Sequence, residues 1–469
     1  MVSSDLWSRC SEITFKQGKF PKGEFSVCTD SRELKQGQLF VALAGEFFNA
    51  LDFLPAIIDK KPSAIVFNQS DFSTKVQPFL KEQDIYFLGV KDTLLFYQEL
   101  ASQHILQWLA ENKERKVIGI AGSNGKTTTR QMLSFLLTSI APDQVIYTKE
   151  NFNNHIGVPK TIFEINKKIT HAIIEMGSNH PGELKVLCDI AHPNCGLITN
   201  IGKEHLEFFG DEKGVFKEER VLYDCIMQNT QDQGFFILNL EDNYLKNLPI
   251  QKNCLSISKD IRSSFQFKFQ GSYAELEFQG RKILIKNNFL IGEHNFFNMA
   301  VSYALAITLF PAQAENLAQA MALYRPSKNR SFFIQQKEKA YFLDAYNANP
   351  SSMLVSVEGF KQWVLAKSGN LDSTFIVVGD MNELGQHSPA EHELLGYKIK
   401  NLGFHHVVFI GRFSAFFAKG FAAKVLSYET VDQFIKEDWD VLHQRYKEFF
   451  FKASRSVKLE KLLERSLDI

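Results

Sequence analysis

Short apolar runs alternate along the chain with stretches whose apolar positions recur at helical spacing, the pattern of an α/β protein. Near the start, Gln38-Leu-Phe-Val-Ala-Leu43, Ala64-Ile-Val-Phe67 and Ile85-Tyr-Phe-Leu88 read as short buried strands. Leu94 to Leu109 reads as an amphipathic helix, and the charged Glu111-Asn-Lys-Glu-Arg-Lys116 as a solvated linker. Beyond it, Val117-Ile-Gly-Ile-Ala121, Val145-Ile-Tyr147, Ala172-Ile-Ile-Glu175, Gly196-Leu-Ile-Thr199 and Phe235-Phe-Ile-Leu238 are further strands between helices. Alternation around 262–291, as in Phe265-Gln-Phe-Lys-Phe269, predicts a small antiparallel excursion. Ala300, Val301, Ala304, Leu305 and Leu309 then mark a helix opened by Gly292-Glu-His-Asn-Phe-Phe-Asn298. After Arg325-Pro326, Tyr341-Phe-Leu-Asp-Ala345, Phe375-Ile-Val-Val378 and His406-Val-Val-Phe-Ile410 predict a second open α/β layer. The expected division is three α/β regions: 1–105, 106–325 and 326–469.

One strand is followed by a turn with chemistry in it. After Val117–Ala121 come Gly122, Ser123, Asn124 and Gly125, then Lys126, Thr127 and Thr128, then Met132, Leu133, Leu136, Leu137 and Ile140 at helical spacing. A small-residue loop between a strand and a helix start turns backbone N–H groups toward a phosphate. Lys126 would add a point charge at the β/γ-phosphates, and the Thr127 hydroxyl would sit on Mg²⁺. The strict P-loop spacing asks for glycine at 120, where the chain has Ile120. An ordinary Gly-rich turn is the bland alternative, and the Lys-Thr pair in this context outweighs it. The region around 117–140 is therefore expected to bind a nucleotide.

Composition narrows the classes. At 469 residues, 45% hydrophobic and 23% charged, the chain is an ordinary globular protein of more than one domain. Lys plus Arg equals Asp plus Glu, 53 each, so no global field draws nucleic acid or an anionic membrane. The start has no basic segment followed by an apolar run, and no apolar run approaches the length of a membrane span. Six cysteines without CxxC spacing point to a reduced, cytoplasmic compartment. The 43 phenylalanines read as core filling.

Binding phosphate does not specify a reaction, so the other groups must. Glu175 ends an apolar strand and would coordinate the same Mg²⁺ as Thr127, the alternative being a solvent-facing strand end. His205 lies just past another strand end. On the following helix Val215, Glu219, Leu222 and Ile226 share one face, while Lys213, Lys217, Arg220 and Asp224 lie largely on the other. A carboxylate in an apolar stripe needs a partner. For Glu219 that partner is either a metal shared with His205 or a basic side chain, and the residues alone leave both open.

Several motifs in order resemble those of the Mur ligase family, most closely its branch that adds D-alanyl-D-alanine. They are Thr29-Asp-Ser-Arg32, Leu39-Phe-Val-Ala-Leu-Ala-Gly45, Gly122-Ser-Asn-Gly-Lys-Thr-Thr128 and Asn151-Phe-Asn-Asn-His-Ile-Gly-Val-Pro159. Glu175-Met-Gly-Ser178, Thr199-Asn-Ile-Gly202, His205-Leu-Glu207 and Gly292–Asn298 follow, with Tyr346-Asn-Ala-Asn-Pro350, Gly379-Asp-Met-Asn-Glu-Leu-Gly385 and Lys452-Ala-Ser-Arg455. The resemblance implies an N-terminal α/β domain for a UDP-sugar-peptide, a central P-loop ATPase domain and a C-terminal Rossmann-like domain for the incoming amine. It implies ATP and Mg²⁺, UDP-MurNAc-tripeptide and D-Ala-D-Ala as partners, and a monomer. By position, Gly122, Ser123, Asn124, Gly125, Lys126, Thr127 and Thr128 would cradle the phosphates. Thr127 and Glu175 would hold a first Mg²⁺, and His205 a second. Asn298 would reach the nucleotide, Arg330 the γ-phosphate and Asp344 the ribose, with Tyr346 and Asn347 near the adenine. Ser31 and Arg32 would meet the uridine diphosphate. Two rival readings are a sibling ligase adding another amino acid or peptide, and a ligation-inactive nucleotide-binding regulator.

The departures from the family pattern are informative. Where the family usually carries a carbamylated lysine after the histidine, alignment from His205 places Glu219, the residue that the helical-face count turns inward. Asn329 replaces the glycine usually before Arg330, and Leu343 the acidic residue usually before Asp344. Asn49 and Leu51 stand where Asp and His are usual. Glu219 is thus expected to supply its carboxylate directly. Intact-mass or ¹³CO₂ NMR measurements should find no carbamate on this chain; an adduct on Lys217 would overturn the assignment.

Overall fold

The computed structural model describes residues 1–10, 12–80, 84–229 and 234–467. Three open sheets follow one another along the chain. The first has five strands, in the order Ile13–Gln17, Tyr86–Val90, Ala64–Asn68, Leu39–Val41, Val27–Cys28, parallel except for the antiparallel edge strand Ile13–Gln17. The helix Thr93–Glu111 leads away from it, capped by Asp92, whose carboxylate accepts from the N–H groups of Leu94 and Leu95. The charged stretch after this helix is not uniformly solvated, contrary to the sequence expectation. Arg115 is buried, donates to the Trp108 carbonyl and to Glu111, and lies 5.1 Å from the Trp108 ring centre. Its long stem and delocalised charge let it pin the helix end rather than remain in water.

The second sheet has nine strands. Lys116–Ala121 lies inside it, parallel to His171–Glu175 on one side and to Cys195–Ile198 on the other. The chain continues outward through Val145–Tyr147 on the first side, and through Phe235–Asn239 and Cys254–Ser258 on the second. The strand order therefore reverses at Lys116–Ala121, and the crevice at the carboxyl ends of such strands is where α/β sheets bind ligands. The antiparallel excursion is present as Phe265–Phe269, Tyr273–Phe278 and Arg281–Lys286, added to the edge of this same sheet.

The third sheet has six strands, in the order Phe332–Gln336, Lys339–Leu343, Glu448–Lys452, Thr374–Gly379, Val407–Ile410, Leu426–Tyr428. Its interior strand Glu448–Lys452 does not stand out in the sequence, because Phe449, Phe450 and Phe451 sit between a buried glutamate and a buried lysine. Phe450 stacks on Phe342 with ring centres 5.3 Å apart, and Phe360 covers both, so here the phenylalanines do fill the core. Leu206 and Ile291, which precede this region in the chain, pack into the same core.

Lys452 is buried because Asp344, at the end of the neighbouring strand, takes its charge at 2.5 Å. Burial pushes the Asp344 carboxyl up, but Lys452, the Ser331 N–H and the Ser356 hydroxyl outweigh this and hold it below its ordinary 3.8. Its ionised form therefore stabilises the fold above that ordinary value, and the contribution is lost as pH falls through the lowered native one. Lys452→Met should cost about 3–5 kcal/mol in denaturant unfolding, because it strands a buried carboxylate. The double variant Asp344→Asn/Lys452→Met should recover much of that loss, and the single variant's deficit should shrink in acid.

Candidate functional site

The loop after Lys116–Ala121 is a cradle that only glycine can line at two points. Gly122 has φ +115°, and a Cβ there would stand 2.3 Å from the Thr199 hydroxyl oxygen. Gly125 has φ +86°, with the Asn298 side chain 2.8 Å from where a Cβ would be. The strand end Thr199–Gly202 braces the loop. Ser123 N–H donates to the Asn200 carbonyl, Asn124 and Asn200 exchange bonds through the Asn200 amide, and the Ser123 hydroxyl accepts from Gly202 N–H at 2.9 Å. The helix Lys126–Ile140 starts directly after Gly125 with no side-chain cap. The N–H groups of its first turn thus open toward the loop, as a helix start that receives an anion does.

Buried charge surrounds this turn. The Glu175 carboxylate is 2% exposed; it accepts from the Thr127 hydroxyl at 2.8 Å, from the Asn153 amide at 3.0 Å and from Arg130 at 2.9 Å. Lys126 folds over the loop, donating to the Gly122 carbonyl and lying 3.3 Å from Glu204. Burial works against its charge, yet Glu204, Glu219 and Glu175 together push its pKa up. Glu219 is buried, as the helical-face count required, while Lys217 on the same helix is exposed. One Glu219 oxygen accepts from Gly122 N–H at 2.5 Å, and the other is 3.4 Å from the Ser178 hydroxyl. Burial pushes the Glu219 carboxyl up to about 8; Lys126 opposes this and Glu204 adds to it.

His205 stands apart from this cluster. It adopts φ +45°, and its Nδ1 lies 3.1 Å from Glu383 of the third sheet's loops. No hydrogen bond or ion pair joins it to Glu219, and among the described residues no three His, Cys, Asp or Glu side chains gather as a metal cage. His205 and Glu219 each have another partner here, Glu383 for the histidine and the Gly122 N–H for the carboxylate. Thr127 and Glu175, by contrast, set two hard oxygens together at the helix start, the donor type that suits Mg²⁺ when substrate oxygens and water complete its shell.

A cavity of about 340 Å³ adjoins the loop. Asn200 and Asn298, which touch the loop, also line the cavity, and Asn239, Asp242, Lys259, His294 and Gln362 form further walls, so helix Pro350–Ser368 closes one side. Burial lowers the His294 imidazole to about 4, leaving it neutral. Asn239 and Asp242 were missed in the sequence, although their position at and just past the end of Phe235–Asn239 is the signal that could have found them.

Four other expected nucleotide contacts lie outside this cavity's lining. Arg330 stacks on Tyr346, with its guanidinium carbon 3.6 Å from the ring centre, and feels Glu175 electrostatically. Asp344 is committed to Lys452, Ser331 and Ser356, so a ribose hydroxyl would have to compete for it. Asn347 spends its side-chain oxygen on the Ala348 N–H. Asn329 takes φ +70°, the left-handed region that asparagine tolerates better than most residues, and so fills a position suited to glycine. Leu343 is wholly buried core, and Asn49 caps Leu51 and bonds Asp71. Ser31 and Arg32 are far along the chain from the loop and have local partners. Arg32 forks onto Asp30, and Lys60 donates to the Ser31 and Arg32 carbonyls. Their turn faces the middle region nonetheless, through Glu33 and Lys160 at 3.7 Å. The Thr128 hydroxyl has no hydrogen bond among the described residues.

The chain is similar to known proteins over most of its length. The model of the Mur ligase middle domain matches residues 120–306. A UDP-N-acetylmuramoyl-tripeptide–D-alanyl-D-alanine ligase of Haemophilus influenzae is 31% identical over 448 residues, which are 93% of this chain and 92% of the relative. The protein of the same name from Escherichia coli is 30% identical over 405 residues, 82% and 81% of the two chains. Among solved structures, MurF from Acinetobacter baumannii superposes with a TM-score of 0.82 at 27% identity, over 100% of this chain and 99% of that one. A pseudomurein peptide ligase from Methanothermus fervidus shares the fold at a TM-score of 0.62 and 14% identity, over 92% and 94%.

Proposed function

The chain belongs to the Mur ligase family, and from that premise we propose that it joins the free carboxylate of UDP-MurNAc-tripeptide to the amine of D-Ala-D-Ala at the expense of ATP. The observation that carries this reading is the Thr127–Glu175 pair at the start of helix Lys126–Ile140, with the Lys126 ammonium on the same loop. The first-turn N–H groups receive the phosphates, and Lys126 meets the β/γ-phosphate oxygens. Thr127 and Glu175 would hold Mg²⁺, which supplies the charge neutralisation that lets a carboxylate approach a triphosphate. The cavity walled by Asn200, Asn239, Asp242 and Asn298 accommodates the nucleoside. Arg330, held flat by Tyr346, lies within the field of Glu175 and can follow charge on the γ-phosphate. His205 and Glu219 would contribute to a second cation, the histidine once Glu383 releases it.

In the reaction, the tripeptide carboxylate displaces ADP from the γ-phosphorus and becomes an acyl phosphate. The amine then adds to the acyl carbon, and phosphate leaves from the tetrahedral intermediate. Two large substrates must be held in register, and three domains divided near residues 105 and 325 provide walls for each. The Ser31–Arg32 turn, facing the middle domain, is the diphosphate contact in this reading. A monomer in the cytoplasm completes it. The free, mostly buried cysteines accord with a reducing compartment, and no helix among the described residues is long and apolar enough to cross a membrane.

Purified protein given ATP, Mg²⁺, a UDP-muramoyl-tripeptide and D-Ala-D-Ala should release ADP and phosphate, and should do so far more slowly with single amino acids. Equal rates with single amino acids would favour a sibling ligase, and nucleotide binding without turnover a regulator. Lys126→Ala should cost on the order of 10² or more in kcat through lost charge stabilisation. Glu219→Gln should raise the Mg²⁺ concentration needed for half-maximal rate; an unchanged titration would remove Glu219 from the metal chemistry.

A further inference from the structure

Resting on the nucleotide-binding reading above, we propose that Glu204 holds Lys126 in the absence of a divalent cation and exchanges it for one, so that cation binding frees the lysine for the phosphates. Glu204 stands between Lys203 and His205 on the loop that follows the strand Cys195–Ile198. Its carboxylate is 5% exposed, and its Oε2 lies 3.3 Å from Lys126 Nζ. Its Oε1 is buried with no hydrogen-bond partner among the described residues. A buried carboxylate oxygen without a partner is unfavourable, and this one sits in a site whose other carboxylates, Glu175 and Glu219, act on the same lysine. The neighbouring positive groups are already committed, Arg130 to Glu175 and Lys203 to Glu391. What the spare oxygen can accept is a cation, and Mg²⁺ characteristically takes one or two carboxylates and completes its shell with phosphate oxygens and water.

Lys126 as it stands uses its donors on the Gly122 and Ser123 carbonyls and on Glu204. A phosphate must displace at least one of these acceptors. The Gly122 and Ser123 carbonyls belong to the loop itself, which is pinned by Glu219, Asn200 and Gly202. Glu204 is the acceptor that also repels a phosphate, so it is the one to be exchanged. A cation drawn to Glu204 cancels that repulsion and loosens its grip on the lysine in one event. Nucleotide affinity should therefore depend on the cation through this residue.

Isothermal calorimetry of ADP binding to the full chain, with and without Mg²⁺, reads this coupling directly. In the unaltered protein Mg²⁺ should tighten ADP binding. In Glu204→Gln, ADP without metal should bind about tenfold tighter than in the unaltered protein, the scale of one charge-assisted hydrogen bond, and the gain from Mg²⁺ should fall by a similar factor. Glu204→Asp, which keeps the charge, should retain most of that gain, and it serves as the test if the glutamine variant fails to fold. A Mg²⁺ gain unchanged in Glu204→Gln, or abolished in a folded Glu204→Asp, would overturn the proposal. Absence of ADP binding by the unaltered protein would instead overturn the nucleotide reading beneath it.

Discussion

Three buried carboxylates, with buried Arg130 and part-buried Lys126 to offset them around one loop, impose the strongest constraint on this molecule. Glu175, Glu204 and Glu219 are each about 5% exposed or less, and Lys126 and Arg130 must offset them without bulk water. Desolvated charge is tolerated only where pairing and hydrogen bonding are close to complete. Glu175 meets that condition through Thr127, Asn153 and Arg130. Glu219 meets it by accepting from the loop's own backbone and by an upward shift of its pKa toward the neutral form. Glu204 does not meet it, since one oxygen is left over. A buried carboxylate oxygen left over beside Lys126 is poised for a divalent cation and, with that cation, for a polyanionic substrate.

The fold delivers these groups from separated parts of the chain to one crevice. Lys126 and Arg130 come from the helix after the P-loop strand, Glu175 from the end of the strand on one side, and Glu204 from the loop beyond the strand on the other. Glu219 is added by the helix Glu212–Asn229. Parallel pairing on both flanks of Lys116–Ala121 brings their carboxyl ends to the same level, which makes this convergence possible.

The third sheet's region reaches into the same crevice. Asn349 donates to the Asn124 side chain at 2.8 Å, Ser351 accepts from Lys203 N–H, and Lys203 pairs with Glu391 at 2.6 Å. His205 and Glu383, both with left-handed backbone, meet across this boundary. Polar contacts of this kind can be made and broken at little cost, so the boundary suits the opening and closing that the proposed reaction would need.

Local rules sufficed for the parts that depend on neighbours in sequence. The P-loop, its strand and helix, the antiparallel excursion and the inward face of Glu219 all follow from spacing, because a strand or helix periodicity sets which side chains share a face. The motif order was enough to identify the family. Tertiary structure alone decided the partners. It buried Arg115 under Trp108, hid the strand Glu448–Lys452 inside the third sheet, and committed Asp344 to Lys452. It turned His205 to Glu383 and set Glu204 on Lys126, 78 residues away in the chain. Pairings of this kind depend on which loops meet at the sheet's edge and on how buried charges find counter-charges, and neither is written in the periodicity of any single segment.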